Sequence, residues 1–276
     1  KVIVGSYDKN SLNKICNFWE RNFIKIIKLS NPEEAEITKL ACNAWIDVNI
    51  GLANEIAKIV DNINLNIDVM NVIKAANTLK KGSSNVNILN PSIGVGGYCL
   101  TKDPLFLNSL KSKDEKFSII KKARNVNENM PKYCANRIIN FLQKNKIQIS
   151  NSNFLILGAT YKGNTDDVRE TPILEFINEL KKNKIRNIVI FDKNIQKEDR
   201  GFFDCKFSDD LKNSLKKSNV LVIGADHKYI INNTNSLIYK NFSRNGLIFD
   251  GRRFFSNHEK KNIKKNKIKF LGIGRS

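Results

Sequence analysis

Apolar positions recur along the chain with two different periods, and the change between them divides it. Val2–Gly5 is a short apolar run, residues 9–21 have helical spacing, and residues 24–29 form a second apolar run, so the first thirty residues read strand, helix, strand. Asn31-Pro32-Glu33-Glu34 then makes a helix start: Asn31 caps, Pro32 fits the first helical position, and two acids meet the positive end of the dipole. The pattern predicts one long helix over 32–62, with no internal proline and a single glycine at 51. A second helix is expected around 67–78, a loop rich in Gly, Ser, Asn and Pro over 79–98, and helix again from 103 to about 145. After Ser150-Asn151-Ser152-Asn153 the character changes. Short apolar strands are predicted at 154–158, 187–191, 220–224 and Leu247–Asp250, with 268–271 as a candidate last one, and an amphipathic helix over 171–182 enters through Pro172. Strands alternating with helices predict a largely parallel sheet. The expected fold class is α/β: an α/β remnant over 1–30, a helical core over 31–149 and an α/β domain over 150–276.

Composition narrows the classes. The chain has 276 residues, 41% hydrophobic and 27% charged, the balance of a globular protein with a sizeable core. No apolar run is long enough to span a membrane and no signal-peptide pattern opens the chain, so a cytoplasmic protein without a membrane partner is expected. The chain begins with Lys1 and enters directly on an apolar run, which reads as part of a longer polypeptide. The net charge of +20 raises nucleic acid as a partner, but the lysines are scattered, often beside Asn, without interleaved aromatics. No nucleic-acid role is therefore expected, and an anionic small substrate would also benefit from this field. Five cysteines without Cys-x-x-Cys spacing indicate neither a metal site nor a disulfide framework. Four read as packed thiols, and His227 and His258 as surface or structural residues. Cys99 differs because of its neighbours.

It follows Gly94-Val95-Gly96-Gly97-Tyr98, where three glycines free the backbone to bend and approach a ligand. If a helix begins at 99–103, Cys99 sits at its positive end, which favours thiolate over thiol, and Asp103 lies one turn on along the same face. A thiol beside a carboxylate suits covalent catalysis followed by water activation. A turn beside a packed cysteine is the plain alternative. On the long helix, Glu36, Lys39, Asn43, Asp47, Ile50 and Asn54 share one face. Because the other faces (Ile37, Leu40, Ala41, Ala44, Trp45, Val48, Leu52) are apolar, burial is expected all round, with the polar stripe turned to a cleft or a partner. Lys39 and Asn43, one turn apart, could together hold an oxyanion. A third segment, Gly158 to Pro172, leads from a strand into a helix, where parallel sheets bind ligands, and carries Lys162 and Arg169, both suited to phosphate. Self-pairing among Asp166, Asp167, Arg169 and Glu170 is the plain alternative there.

Taken together, these segments resemble the UDP-glucose and UDP-N-acetylmannosamine dehydrogenase family. The resemblance rests on Glu-x-x-Lys-x-x-x-Asn at 36–43, Ala-Asn-Glu at 53–55, Asn-Pro-x-x-Gly-x-Gly-Gly-x-Cys at 90–99, Lys102-Asp103, Ala123-Arg124, Asn127 and Met130-Pro131. It continues through Lys162-x-x-Thr-Asp-Asp-x-Arg-Glu at 162–170 to Asp250-Gly251-Arg252, in order from about residue 30 onward. It implies an N-terminal NAD-binding Rossmann domain, of which residues 1–30 would be the end, a central helical dimerisation core, and a Rossmann-like UDP-sugar domain. It also implies two successive hydride transfers to NAD that convert a sugar C6 alcohol to a carboxylate for surface polysaccharide precursors. Carried over by position, Cys99, Lys39, Asn43 and Asp103 would be catalytic. Asn90, Pro91, Ser92, Gly96 and Lys162 would contact the UDP-sugar, with Arg252, and Arg124 from the partner of a homodimer. Lys102 and Arg169 would approach NAD. A non-catalytic fragment that only binds UDP-sugar or dimerises is the alternative. The sugar stays open between UDP-glucose and a UDP-N-acetylhexosamine. Thr101 stands where many relatives have proline.

Overall fold

The computed structural model describes residues 1–275 except 23, 24, 64 and 112–116, and gives the backbone alone for 231–235. At the N-terminal end, β1 (Val2–Gly5) and β2 (Ile26–Leu29) pair in parallel across α1 (Lys9–Glu20). The strand expected over 24–29 thus has its start, Ile24, outside the described residues.

The long helix forms as its cap predicts. Helix α2 (Pro32–Asn62) begins where the Asn31 side chain accepts the Glu34 N–H, and it runs without interruption. Helix α3 (Val69–Asn77) follows, then a minimal antiparallel hairpin of β3 (Lys80–Lys81) and β4 (Ser84–Asn85) inside the expected loop. Helix α4 (Tyr98–Ser109) starts five residues before the helix expected from 103, and α5 (Ile119–Lys144) is a separate helix. Helix α2 packs on both α4 and α5. Its single glycine is explained by that crossing: a Cβ on Gly51 would lie 2.9 Å from the Ala123 Cβ, so the helices approach too closely for any side chain.

One expectation for α2 is reversed. The face buried within the chain carries Ala44, Asp47, Gly51, Ala53, Asn54, Ala57 and Val60, while Ile37, Trp45, Leu52 and Ile59 are exposed. Small residues permit the close crossing with α5, and Asp47 Oδ1 and the Asn54 amide nitrogen find partners on α5. The apolar stripe is left uncovered.

The remainder is a parallel sheet of β5 (Phe154–Leu157), β6 (Ile188–Phe191), β7 (Lys206–Phe207), β8 (Val220–Ile223), β9 (Leu247–Asp250) and β10 (Lys269–Gly272), in the order β10-β9-β8-β5-β6-β7. Its central strands are apolar at every position because both faces are covered. Phe154, Ile156 and Val222 meet α6 (Pro172–Lys182) and α5 on one side. Leu155, Leu157 and Leu221 meet α7 (Leu211–Lys217), α8 (Lys228–Asn241) and α9 (Asn257–Lys265) on the other. The order reverses between β5 and β8, so the crevice above their carboxyl ends is the switch point of the sheet.

The end of β10 clasps the helical region. Gly274 and Arg275 donate their N–H groups to the Asp61 carboxylate at 3.0 and 3.2 Å, and the Gly274 carbonyl accepts the Val69 N–H at 2.9 Å. The buried Arg275 guanidinium pairs with Asp68 at 3.0 Å, and Arg137 bridges Asp61 at 2.8 Å. Desolvation pushes the Asp61 carboxyl above its ordinary range, opposed by Arg137 and the donated N–H groups.

Candidate active site

Three of the four candidate catalytic side chains are in direct contact, and the fourth stands one helical turn away. Asp103, buried on α4, accepts the Asn43 Nδ2–H at 2.7 Å on the same oxygen, Oδ2, that lies 3.5 Å from Lys39 Nζ. Lys39 is two-thirds exposed while Asp103 is nearly covered, so the ion pair reaches from solvent into the helix crossing. Cys99 is the second residue of α4 and exposed, four residues before Asp103 and therefore on the same face. The α4 N-cap is Gly97, whose missing side chain leaves the first N–H groups of the helix without a side-chain cap beside the thiol.

The loop that carries Cys99 is held from three directions. The Asn54 side chain accepts the Ser92 N–H at 2.8 Å from α2, the Gly251 carbonyl accepts the Ile93 N–H at 3.0 Å, and the Arg169 carbonyl accepts the Gly97 N–H at 3.3 Å. Gly96 packs so closely on residues 161–172 that a Cβ would lie 2.2 Å from the Glu170 carbonyl oxygen. The glycine is thus required by loop-on-loop packing. Gly96→Ala is expected to lower stability by about 1–3 kcal/mol, read from thermal unfolding, because neither backbone can yield without displacing the other.

A buried polar chain fixes the start of α4. Pro104 lies inside α4 and has no N–H for the Leu100 carbonyl, which would otherwise be left unpaired. Arg124 fills that vacancy: its Nη1 donates to the Leu100 carbonyl at 3.0 Å and pairs with Asp47 at 2.8 Å, while Nη2 reaches the Val95 carbonyl at 3.5 Å. Asn127 donates to Asp47 at 2.8 Å and accepts from Asn54 at 2.9 Å, closing the chain from α5 to α2 and on to Ser92. Burial pushes the Asp47 carboxyl above the usual carboxylate range, with Arg124 opposing it.

Arg124 and Arg252 therefore stand differently from the expectation that they contact substrate. Arg124 is 2% exposed and makes its hydrogen bonds to Asp47, Leu100 and Val95 of its own chain. Arg252 donates Nε to the Gly224 carbonyl and Nη2 to the Tyr161 carbonyl, both at 2.7 Å, tying β9 across the switch point. Ser92 Oγ is likewise turned inward, donating to the Gly94 carbonyl at 2.8 Å. Asn90 is exposed and Pro91 buried. Lys162 is exposed with its ammonium 5.3 Å from the Tyr161 ring.

Lys102 and Arg169, from separate segments, converge on the exposed Tyr98, at 5.1 and 5.3 Å from its ring. Arg169 also forks onto Asp167 at 2.9 and 2.8 Å, and that bond holds the Asp167 carboxyl below its ordinary range. The expected self-pairing within this loop is real for Asp167 and Arg169. Cys42 is exposed, against the expectation of a packed thiol. Among the described residues no cluster of three His, Cys, Asp or Glu side chains could hold a metal, and no helix is long and apolar enough to cross a membrane.

His227, expected from the sequence to be a surface or structural residue, is buried, and it pairs at 3.0 Å with Asp192, which the sequence did not single out, above the carboxyl ends of β6 and β8. Their signal was positional: each lies just beyond an apolar run, at the end of the sheet where ligands bind.

Known proteins are similar to this chain in sequence and in fold. Residues 33–129 match the central domain of the UDP-glucose/GDP-mannose dehydrogenase family, and residues 155–257 match its UDP binding domain. A UDP-N-acetyl-D-mannosamine dehydrogenase from Pyrococcus horikoshii is 34% identical over 99% of this chain, which spans 59% of that relative's length. The solved structure of the UDP-D-ManNAc dehydrogenase of that organism superposes with a TM-score of 0.81 at 30% identity, over 99% of this chain and 59% of that one. An NDP-N-acetyl-D-galactosaminuronic acid dehydrogenase from Methanosarcina mazei superposes at 0.84 with 25% identity, covering 99% and 58%. With both family domains matched in order, this chain belongs to the UDP-glucose/GDP-mannose dehydrogenase family.

Proposed function

We propose that the chain supplies the substrate half of an NAD-dependent nucleotide-sugar 6-dehydrogenase that oxidises a UDP-N-acetylhexosamine to its uronic acid. The observation that carries this reading is the convergence of Lys39, Asn43 and Asp103 beside Cys99 at the start of α4. The names of the similar proteins favour UDP-N-acetylmannosamine as the sugar nucleotide. In this reading residues 1–30 close an NAD-binding domain, 31–149 are the dimerisation core and 150–276 bind UDP. The exposed stripe of Ile37, Trp45, Leu52 and Ile59 along α2 suits a second copy of the chain, since such faces are seldom left in water.

Lys102 and Arg169 fit NAD, because exposed cations astride an aromatic ring suit a pyrophosphate and a stacking base. NAD, as two molecules bound in turn, supplies the acceptor for each of the two hydrides that leave C6. The first oxidation takes the alcohol to an aldehyde, and the proton leaves from an oxygen held by Lys39 Nζ and Asn43 Nδ2. Cys99 Sγ then adds to the aldehyde carbon, and the same two groups stabilise the resulting oxyanion. Loss of the second hydride leaves a Cys99 thioester, which keeps the intermediate attached. Asp103, within reach of both Lys39 and Asn43, takes a proton from the attacking water. The water oxygen bonds to the thioester carbon and the carbon–sulfur bond breaks. The proton on Asp103 passes to the departing Cys99 sulfur, leaving a carboxylic acid that ionises. Lys162 holds the diphosphate as a point charge.

Calorimetric titration of this chain with UDP-N-acetylmannosamine, UDP-N-acetylglucosamine and UDP-glucose tests the reading. Saturable binding of all three, tightest for an N-acetylated sugar, is expected. Absence of binding for all three would remove the substrate-half assignment.

A further inference from the structure

We propose that His227 is a positioning residue, which holds the 160–165 loop in the one conformation that presents Lys162 to a nucleotide diphosphate. The inference rests on the reading of Lys162 given above, and its own evidence lies outside the Cys99 site. His227 is fully buried just beyond β8, stacked at 5.1 Å on Tyr229. Two donors aim at its Nδ1: the backbone N–H of Asn164 at 3.0 Å and the Asn194 amide at 3.3 Å. The backbone donor cannot be turned round, and the Asn194 nitrogen is fixed by its second bond, to the Thr165 carbonyl at 3.1 Å. Nδ1 must therefore be a lone pair, which puts the ring proton on Nε2.

That Nε2–H faces two acceptors, Asp192 Oδ2 at 3.0 Å and Thr160 Oγ1 at 3.1 Å. The Thr160 hydroxyl is then free to donate onward to the Lys162 carbonyl, 2.8 Å away. Asp192 is itself locked, accepting the Ala159 N–H at 2.7 Å on Oδ2, and on Oδ1 the Asn194 N–H at 2.9 Å and the Tyr229 hydroxyl at 3.2 Å. His227 thus grips the loop on both sides of Lys162, through Thr160 before it and Asn164 after it. Asp226 adds a bond to the Gly163 N–H at 3.2 Å, and the Asn164 side chain accepts the Lys228 N–H at 2.9 Å. Asn164 has a φ of +59°, a left-handed conformation that the backbone bond to Nδ1 stabilises. The ring exerts this grip only as the Nε2–H tautomer, because a proton on Nδ1 would oppose the Asn164 N–H.

The wild-type chain and three substitutions, His227→Asn, His227→Gln and Lys162→Gln, test this, with UDP as the probe. An imidazole nitrogen-15 spectrum of the wild type should show Nδ1 unprotonated and Nε2 protonated. The opposite tautomer would overturn the proposal without any variant having to fold. His227→Asn places an amide oxygen where Nδ1 was and keeps the acceptor for Asn164. His227→Gln keeps a donor towards Asp192 and loses that acceptor. In His227→Gln, amide exchange at Gly163 and Asn164 should accelerate and UDP affinity should fall about tenfold, while His227→Asn stays within about threefold of wild type. Wild-type UDP affinity in His227→Gln, alongside a loss in Lys162→Gln, would overturn the positioning role. Wild-type affinity in both would overturn the diphosphate assignment of Lys162 and this proposal with it.

Discussion

Cys99→Ser is expected to leave UDP-sugar binding within about twofold and to cut uronate formation on the order of a thousandfold or more, in the enzyme this chain forms with an NAD-binding domain. Cys99 is exposed at the start of α4, so exchanging sulfur for oxygen opens no cavity and disturbs no packing. The UDP-facing candidates Asn90, Pro91, Ser92 and Gly96 precede Cys99 on the same loop and keep their side chains and backbone in the variant. What changes is the nucleophile, because a serine hydroxyl adds to a carbonyl carbon far less readily than a thiol and makes a poorer leaving group from the acyl intermediate. NADH counted per UDP-sugar consumed reads the chemistry, and calorimetry reads the binding. Unimpaired release of two NADH per sugar by the serine variant would remove the covalent role and leave Asp103 acting directly on a hydrated aldehyde.

Arg124→Ala should lower stability by about 3–5 kcal/mol, the range for removing one partner of a buried ion pair. The loss has two sources. Asp47, fully buried, keeps its charge without its counter-ion, and its Oδ2 already has no hydrogen-bond partner. The Leu100 carbonyl, orphaned by Pro104, loses its donor as well. The pH dependence follows from the direction of the Asp47 shift. Its carboxyl is raised by burial and held down in part by Arg124, so the variant raises it further. A raised carboxyl binds its proton more tightly folded than unfolded, so stability falls as pH rises through the folded value. The deficit of Arg124→Ala should therefore be largest near pH 7 and shrink on acidification towards the ordinary carboxylate range, measured as the gap in Tm from wild type. A gap independent of pH would mean that Asp47 is not the group left behind. The same variant should slow catalysis, since the carbonyls of Val95 and Leu100 bracket Cys99.

The elements were legible wherever a local rule was strong. Asn31-Pro32 set the start of α2, and the apolar runs at 154–157 and 220–223 became the two strands flanking the switch point. The cluster of Lys39, Asn43, Asp103 and Cys99 was legible because helical spacing ties each pair to one face, and the family pattern brings the two helices together. The role of Arg124 was not legible. Nothing local distinguishes an arginine that crosses to a partner from one that turns inward, and what decides is a proline twenty residues earlier that frees a carbonyl. The burial of α2 was misjudged for a related reason. Apolarity alone pointed inward, but the close crossing at Gly51 and Ala123 admits only the narrow face with Ala, Gly and Asn. His227 could be read only as surface or structural because a lone histidine carries no spacing signal, and its partners come from residues 160–164, 192–194 and 229.

The clasp at Asp61 bears on how the molecule comes apart. Gly274 reaches the Asp61 carboxylate across 213 positions of sequence, and Arg137, Tyr133 and Arg275 meet the same buried group. The helical region and the sheet thus share a charge that neither can satisfy alone, because Asp61 sits on α2 and its backbone donors follow β10. Closing so long a loop is entropically unfavourable until the intervening segments are ordered, so the contact forms late and dissolves early in any partial opening. Opening it would take two backbone donors from the Asp61 carboxylate, leaving it with Arg137 and Tyr133, and propagate the disruption to both regions at once. The boundary near residue 150, clear in composition, is for this reason not a boundary in stability. Calorimetry should record one cooperative transition spanning both regions rather than two.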